Sequence, residues 1–320
     1  MTRTFLLLSG AGIALFVLSL CLGPVSLSPG LLFSDDALAR AVFWEIRAPR
    51  AICAFLVGAA LALAGAALQG LLRNPLADAG VLGLSGFSAL GAVIAFALGL
   101  GGLAAMGALG FAFGAALLVT SLGFAARGPA SLALIGVGLS SAAGGLIALT
   151  LNLAPNPGAL ADLVNWTLGS VEGRSWSDAG LVAICFAAGA AILAFAQRGL
   201  QALSLGEEAA RALGADINAL RLLVVAGAAA CVGGATAIAG VIAFVGVAAP
   251  HLARGLADHD PGRLLWPSAL IGGCLVLAAD IAVRLIPTDS ELKLGVAAAL
   301  LGGPMFALIA VRLARRGGER

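Results

Sequence analysis

The chain has 320 residues, 61% of them hydrophobic and 11% charged, with a formal net charge of +2. A mean hydropathy of +1.08 excludes an ordinary soluble domain, and so small a charge excludes the basic surface that nucleic acid demands. Long runs without a charge point to an all-α membrane protein, because a backbone exposed to lipid must satisfy its hydrogen bonds within helices.

The first run, TFLLLSGAGIALFVLSLCLG after Arg3, is longer than a signal-peptide core and no small-x-small cleavage site follows it. Cys21 ends a lipoprotein-like LSLC, but Leu20 stands where such a site needs a small residue. It is read as a retained first span over 5–23. Further spans are predicted near 50–70, 83–100, 103–125, 132–152, 178–197, 222–239, 241–256, 266–286 and 294–313, a bundle of about ten helices forming one domain over 1–320. The stretch 222–256 could be one tilted helix or two short ones. Charge decides. With two crossings, both termini lie inside together with Arg3, Arg73, Arg127, Arg198, Arg211, Arg221, Arg254, Arg263, Arg312, Arg315, Arg316 and Arg320. Arg40, Arg47, Arg50, Arg174, Arg284 and Lys293 then lie outside, which obeys the positive-inside rule. Gly240 falls at the expected turn, and Pro250 should distort the second helix.

The largest cytoplasmic loop, about 198–221, contains LSLGEEAARALGAD at 203–216. Ser204 and Glu207 have capping-box spacing. Glu207 and Glu208 sit at the positive end of the helix dipole, Arg211 stands one turn beyond Glu207, and Gly214 suits a helix stop. A water-facing helix between membrane-grade runs is something a soluble partner can grip.

Catalytic chemistry is absent from the pattern. No G-x-x-x-x-G-K-[ST] phosphate loop occurs, so this chain does not bind ATP in that way, and no nucleophile elbow or zinc spacing appears. The five cysteines lie in apolar runs as packing residues, and His251 and His259 are isolated, so no metal site is expected. Asp280 is the main intramembrane acid, and Arg284 follows it by one turn, where the two can pair. An ion-coupled secondary transporter would need Asp280 as its coupling site, with inverted repeats that the sequence does not display.

Four blocks carry a resemblance. They are IRAPRAICAFLVGAALALAGAALQGLLRNPLADAGVLGLSG at 46–86, WTLGSVEGRSW at 166–176, the 203–216 stretch continued through AGVIAFVGVAAPHLARGLADHDPGRLLWPSALIGGCLVLAADIAVRL, and ELKLGVAAALLGGPMFAL at 291–308. Their order and spacing are similar to the FecCD-type permease family, whose members import iron–siderophore complexes, haem and cobalamin. The resemblance implies a multi-pass inner-membrane subunit, with both termini cytoplasmic, that homodimerises or pairs with a second permease. Two ATP-binding subunits, using ATP and Mg, would bind its inner face. A periplasmic binding protein would deliver the cargo, an iron chelate first, haem or cobalamin otherwise. No cofactor is bound by this chain in that scheme.

Carried onto this sequence, the resemblance makes Gly206, Glu207, Glu208, Arg211 and Gly214 the ATPase-coupling helix. Arg47, Arg50 and Arg284 become binding-protein docking residues, since a guanidinium fork suits carboxylates. Asn74, Pro75 and Leu76, with Pro129, Ala130 and Ser131 of the RGPAS loop, become the cytoplasmic gate. Asn74 before Pro75 should break the helix there. Two departures stand out: Phe87, expected to pack rather than line the pathway, and Lys293, an extra charge near the outer mouth.

Overall fold

The computed structural model of the chain describes residues 2–23, 37–125, 129–154, 156–287 and 290–317. Among these residues there is no strand. The helices are α1 (Thr2–Cys21), α2 (Ala37–Ala41), α3 (Ala48–Leu72), α4 (Leu84–Ala97), α5 (Ala104–Ala125), α6 (Pro129–Asn152), α7 (Pro157–Thr167) and α8 (Trp176–Leu203). Then come α9 (Glu207–Ala212), α10 (Ile217–Ala239), α11 (Val245–Ala253), α12 (Leu265–Leu285) and α13 (Leu294–Gly317). A π-helical turn, Val42–Arg47, joins α2 to α3, immediately before Pro49, whose ring denies that turn a regular α-helical donor.

α3 is the axle of the bundle, in contact with α1, α6, α8, α10, α11 and α12. Its glycines allow this. A Cβ on Gly58 would stand 2.8 Å from the carbonyl carbon of Gly272 in α12, and one on Gly65 would collide with the backbone of Gly246 in α11. Backbones that close exclude lipid and maximise dispersion contact, which holds helices together where the hydrophobic effect offers little. At the far rim, α6 leaves Leu134, Val137, Leu146 and Leu149 exposed.

α3 also measures depth. Arg50 near its start meets Asp280 near the end of α12, and Gln69 near its finish meets Gly246 and Arg254. Trp176, opening α8, donates to the Trp44 carbonyl beside the π turn, so α8 runs parallel to α3 and arrives with α9 at the opposite end. Gly91 against Gly107 and Gly123 against Leu132 fix α4, α5 and α6 as alternating passes. By these contacts the described chain passes about ten times between the two ends, and the start of α1 and the end of α13 share the α9 end. Six helical stretches are long and apolar enough to cross a membrane, and three shorter apolar ones accompany them.

The expected crossing at 241–256 is built differently from its prediction. Gly240 turns with φ of +67° against the Trp166 carbonyl, at the Arg50 end. Residues 241–244 then descend without helix, and Phe244, at φ of +67°, starts α11. α11 has nine residues, about 13 Å of rise, well short of a ~30 Å hydrocarbon core. The non-helical descent covers the remainder, with Ile242 buried and Val241, Ala243 and Phe244 half-buried beside α12 and α13. Two crossings are therefore made, with Pro250 inside the short helix.

α7 lay in no expected span. Asn156 caps it by accepting from the Ala159 amide at 2.9 Å, and Trp166 near its end packs against Phe96 with ring centroids 5.8 Å apart. Phe87 is half-buried and packed on the main core, as expected.

Gly58→Val should force α3 from α12 and lower stability by about 1–3 kcal/mol, the usual cost of overpacking. Gly110→Ala, with open space at its Cβ, should be neutral. Thermal unfolding in detergent compares the two, and equal midpoints would contradict the close-approach account.

Candidate functional site

α9 projects from the end of the bundle between α8 and α10. Its ends are glycine-defined: Gly206 precedes it at φ of +105° and Gly214 follows at φ of +84°. At the far end, the Gly214 amide donates to the Arg211 carbonyl and the Ala215 amide to the Ala210 carbonyl, each at 2.9 Å. That pair of bonds is a Schellman closure, and it needs the left-handed conformation glycine adopts freely.

The expected capping box is not formed. Ser204 ends α8 and its hydroxyl donates to the Gln201 carbonyl at 2.6 Å, so α9 begins at Glu207 with no side-chain cap. The preceding helix claims the serine first. A capping box does exist where none was predicted, at Ser175 and Asp178, which exchange bonds at the start of α8.

Two anchors hold α9 to the bundle. Ala210 is fully buried in the main core. Glu207 accepts from Arg221 of α10 at 3.1 Å and from Arg211 at 3.4 Å. The Arg211 pairing was expected and the Arg221 pairing was not. Glu208 and the greater part of Arg211 face water. Beside them stand Leu205 and Leu213, exposed by 68% and 67%. Charged groups and large exposed apolar side chains therefore stand together on this face. Sequence reasoning named the charges and missed the leucines, because the surrounding chain is rich in leucine everywhere.

Beneath α9, at the end of α3, lies a cavity of about 280 Å³ lined by Gln69, Arg73, Asn74, Ser204, Arg254 and His259, among others. α3 stops at Leu72, with Arg73 left-handed at φ of +50°, and Asn74 accepts from the Leu76 amide at 3.0 Å. The helix breaks where Asn74–Pro75 predicts. Arg254 donates to Gln69 Oε1 at 2.8 Å, and Gln69 donates onward to the Gly246 carbonyl at 3.1 Å. Of the other expected gate residues, Ala130 is exposed and Ser131 half-buried. The side chain of Pro129, and residues 127–128 of the RGPAS loop, lie outside the described set.

At the opposite end, Arg47, Arg50 and Arg284 are 7%, 8% and 8% exposed. Arg50 grips Asp280 through Nη2 at 2.7 Å and Nε at 3.0 Å, and its remaining donors reach Glu291. Arg284 pairs with the other Asp280 oxygen at 3.0 Å and donates to the carbonyls of Ser19 and Leu22. Arg47 donates to the carbonyls of Leu20 and Cys21 at 2.7 and 2.8 Å. The last-turn carbonyls of α1, orphaned by helix geometry, are thus satisfied by two guanidiniums. The expected Asp280–Arg284 pair forms, but the three arginines, expected to face a binding protein, are turned inward and occupied. Asp280 is wholly buried between two cations, the arrangement of a structural counter-ion. Lys293 pairs with Glu172 at 3.0 Å.

Asp280→Asn should cost about 3–5 kcal/mol by leaving two buried guanidiniums facing each other. Asp162→Asn, at a residue with no ion pair, is the comparison, read as a fall in the detergent unfolding midpoint. Equal midpoints would remove the cluster from the account.

The chain matches the FecCD transport family over residues 11–312. It is 38% identical over 300 residues to the uncharacterized ABC transporter permease protein YvrB of Bacillus subtilis (strain 168), covering 90% of this chain and 84% of that one. It is also 38% identical over 317 residues to the vitamin B12 import system permease protein BtuC of Vibrio cholerae serotype O1, covering 97% and 94%. Among solved structures, an inward-facing metal-chelate type ABC transporter superposes with a TM-score of 0.87 at 30% identity, covering 98% of this chain and all of the other. PsaBC of Streptococcus pneumoniae, at TM-score 0.52 and 19% identity, shares the fold alone. With the family match spanning nearly the whole chain and the helix bundle in agreement, this protein belongs to the FecCD transport family, the permeases of ABC importers.

Proposed function

We propose that the chain carries a bulky metal chelate across the inner membrane as the permease half of an importer driven by a separate ATPase. The observation that carries this is α9: a short helix pinned by Ala210 and Glu207, presenting Glu208, Arg211, Leu205 and Leu213 to water. A pinned helix transmits a rigid-body push into α8 and α10, and a loose loop would absorb it. The α9 end is cytoplasmic in this reading. Two ATP-binding subunits dock there, using ATP and Mg, and two permease copies flank the pathway. The gate lies at Asn74–Leu76 and Pro129–Ser131.

A periplasmic binding protein feeds the opposite face. To reach Arg50 it must displace Glu291, and to reach Arg47 or Arg284 it must draw them from the end of α1. An iron–siderophore chelate is the cargo proposed first. Cobalamin is the second reading, favoured by the relatives named for vitamin B12 import. Weak, small-residue contacts along the spans suit a cargo that must leave, and selection then rests with the binding protein.

Glu208→Lys with Leu213→Asp alters the exposed face of α9 without touching either anchor. In proteoliposomes containing the cognate ATPase and binding protein, chelate uptake should fall at least tenfold while the permease still inserts. Uptake at the parental rate would contradict the coupling role. Parallel arms with iron–siderophore, haem and cobalamin, each measured with and without internal ATP, identify the cargo, and uptake driven by an ion gradient alone would overturn the ABC reading.

A further inference from the structure

The cavity at the end of α3 has a charge pattern that the proposed coupling role of α9 does not use. Its lining includes Arg73, Arg254 and His259 and no carboxylate. Arg254 spends one nitrogen on Gln69; among the described residues, the side chains of Arg73 and His259 make no hydrogen bond or ion pair. The two acids of the neighbouring loop are committed elsewhere. Asp258 faces Arg263 at 3.7 Å. Asp260 faces the same arginine at 3.6 Å, accepts from Gln201 at 3.0 Å and closes its own loop through the amides of Gly262 and Arg263. Among the described residues, no carboxylate lines the pocket beside the Arg73 and Arg254 guanidiniums.

The backbone marks the same place. Four described non-glycine residues have positive φ, and three of them, Arg73, Asp258 and His259, line or adjoin this cavity. Such conformations are disfavoured for side-chain-bearing residues and collect at binding sites and switches. The cavity lies under the axle helix, ringed by the ends of α3, α8 and α12, and not on the outward flank of the bundle. Its access is from water at the α9 end, and Ser204 in its wall is two residues before Gly206.

We infer that this pocket is a second docking point on the α9 face, receiving an acidic side chain of the ATP-hydrolysing partner between Arg73 and Arg254. The inference rests on the reading of α9 as the ATPase-binding arm. A carboxylate entering here satisfies guanidinium donors that the fold leaves open, and charge-assisted bonds of this kind are short and directional. The two contacts differ in what they grip. α9 moves with α8 and α10, and the pocket belongs to the end of α3 and the loop leading into α12, so a partner holding both would move the axle together with the arm.

The test uses the full-length permease in nanodiscs of fixed lipid composition, titrated with its purified ATPase. Arg73→Glu is the main variant, since that side chain is exposed and unbonded; Arg73→Gln is the milder second, and size-exclusion profiles verify that both assemble. The α9 variant Glu208→Lys serves as the reference. Arg73→Glu should weaken ATPase binding at least tenfold at low salt, with a smaller effect at high salt, Arg73→Gln should lie between, and an acid-to-arginine substitution on the facing ATPase surface should restore binding to Arg73→Glu. Loss with Glu208→Lys but parental affinity with Arg73→Glu would overturn the pocket and leave the α9 reading standing. Parental affinity with both would overturn both. If Arg73→Glu changed only the retention of anionic phospholipid, the pocket would be a lipid site and the inference would fail.

Discussion

Close backbone approach along α3 is the constraint on which the rest of the molecule depends. Gly58 against Gly272 and Gly65 against Gly246 bring α12 and α11 backbone-close to one helix that six others touch. Within lipid there is little hydrophobic gain in bringing helices together, so packing and satisfied polar groups must hold the bundle. α3 supplies both. Its glycines give the packing, and polar groups near its two ends, Arg50 and Gln69, reach across to α12, α11 and the segment that follows α11.

The polar groups at the two ends differ in state. At the Arg50 end the charges are closed on themselves: Asp280 and Glu291 answer the arginines, and the spent end of α1 takes the rest. Such a cluster fixes geometry more than it adds stability, since each charge gave up water to enter it. At the α9 end the charges are open. Glu208, Arg73 and the greater part of Arg211 face water, and no carboxylate is among the described residues lining the pocket. A closed end and an open end on one rigid axle suit a machine driven from one side.

Much of this was legible in the sequence. The all-helical, multi-span character followed from hydropathy, and 222–256 does divide at Gly240 into α10 and the shorter α11. Gly206, Gly214 and the Glu207–Arg211 spacing announced α9 because helix termini have local chemistry. What failed was whatever depends on a distant partner. Ser204 had the right spacing for a cap, but α8 reaches it first. The partners that Arg47, Arg50 and Arg284 hold within the chain were also out of sight, since Asp280 stands 230 positions beyond Arg50. The 241–256 run had span-like composition, yet the turn at Gly240 and the strained Phe244 leave it nine α-helical residues and a 3-10 turn, Arg254–Leu256. Arg221, Leu205 and Leu213 carried no motif, and only the folded chain sorts them into anchor and surface.

The central claim is that the exposed face of α9 is held by an ATPase. The most direct measurement places a photo-crosslinking residue at Leu213 in the assembled importer, with one at Phe195, 80% exposed on α8, as the control. The account predicts a covalent ATPase adduct from position 213 and none from 195. Adducts from neither position, in a complex shown to hydrolyse ATP, would contradict it.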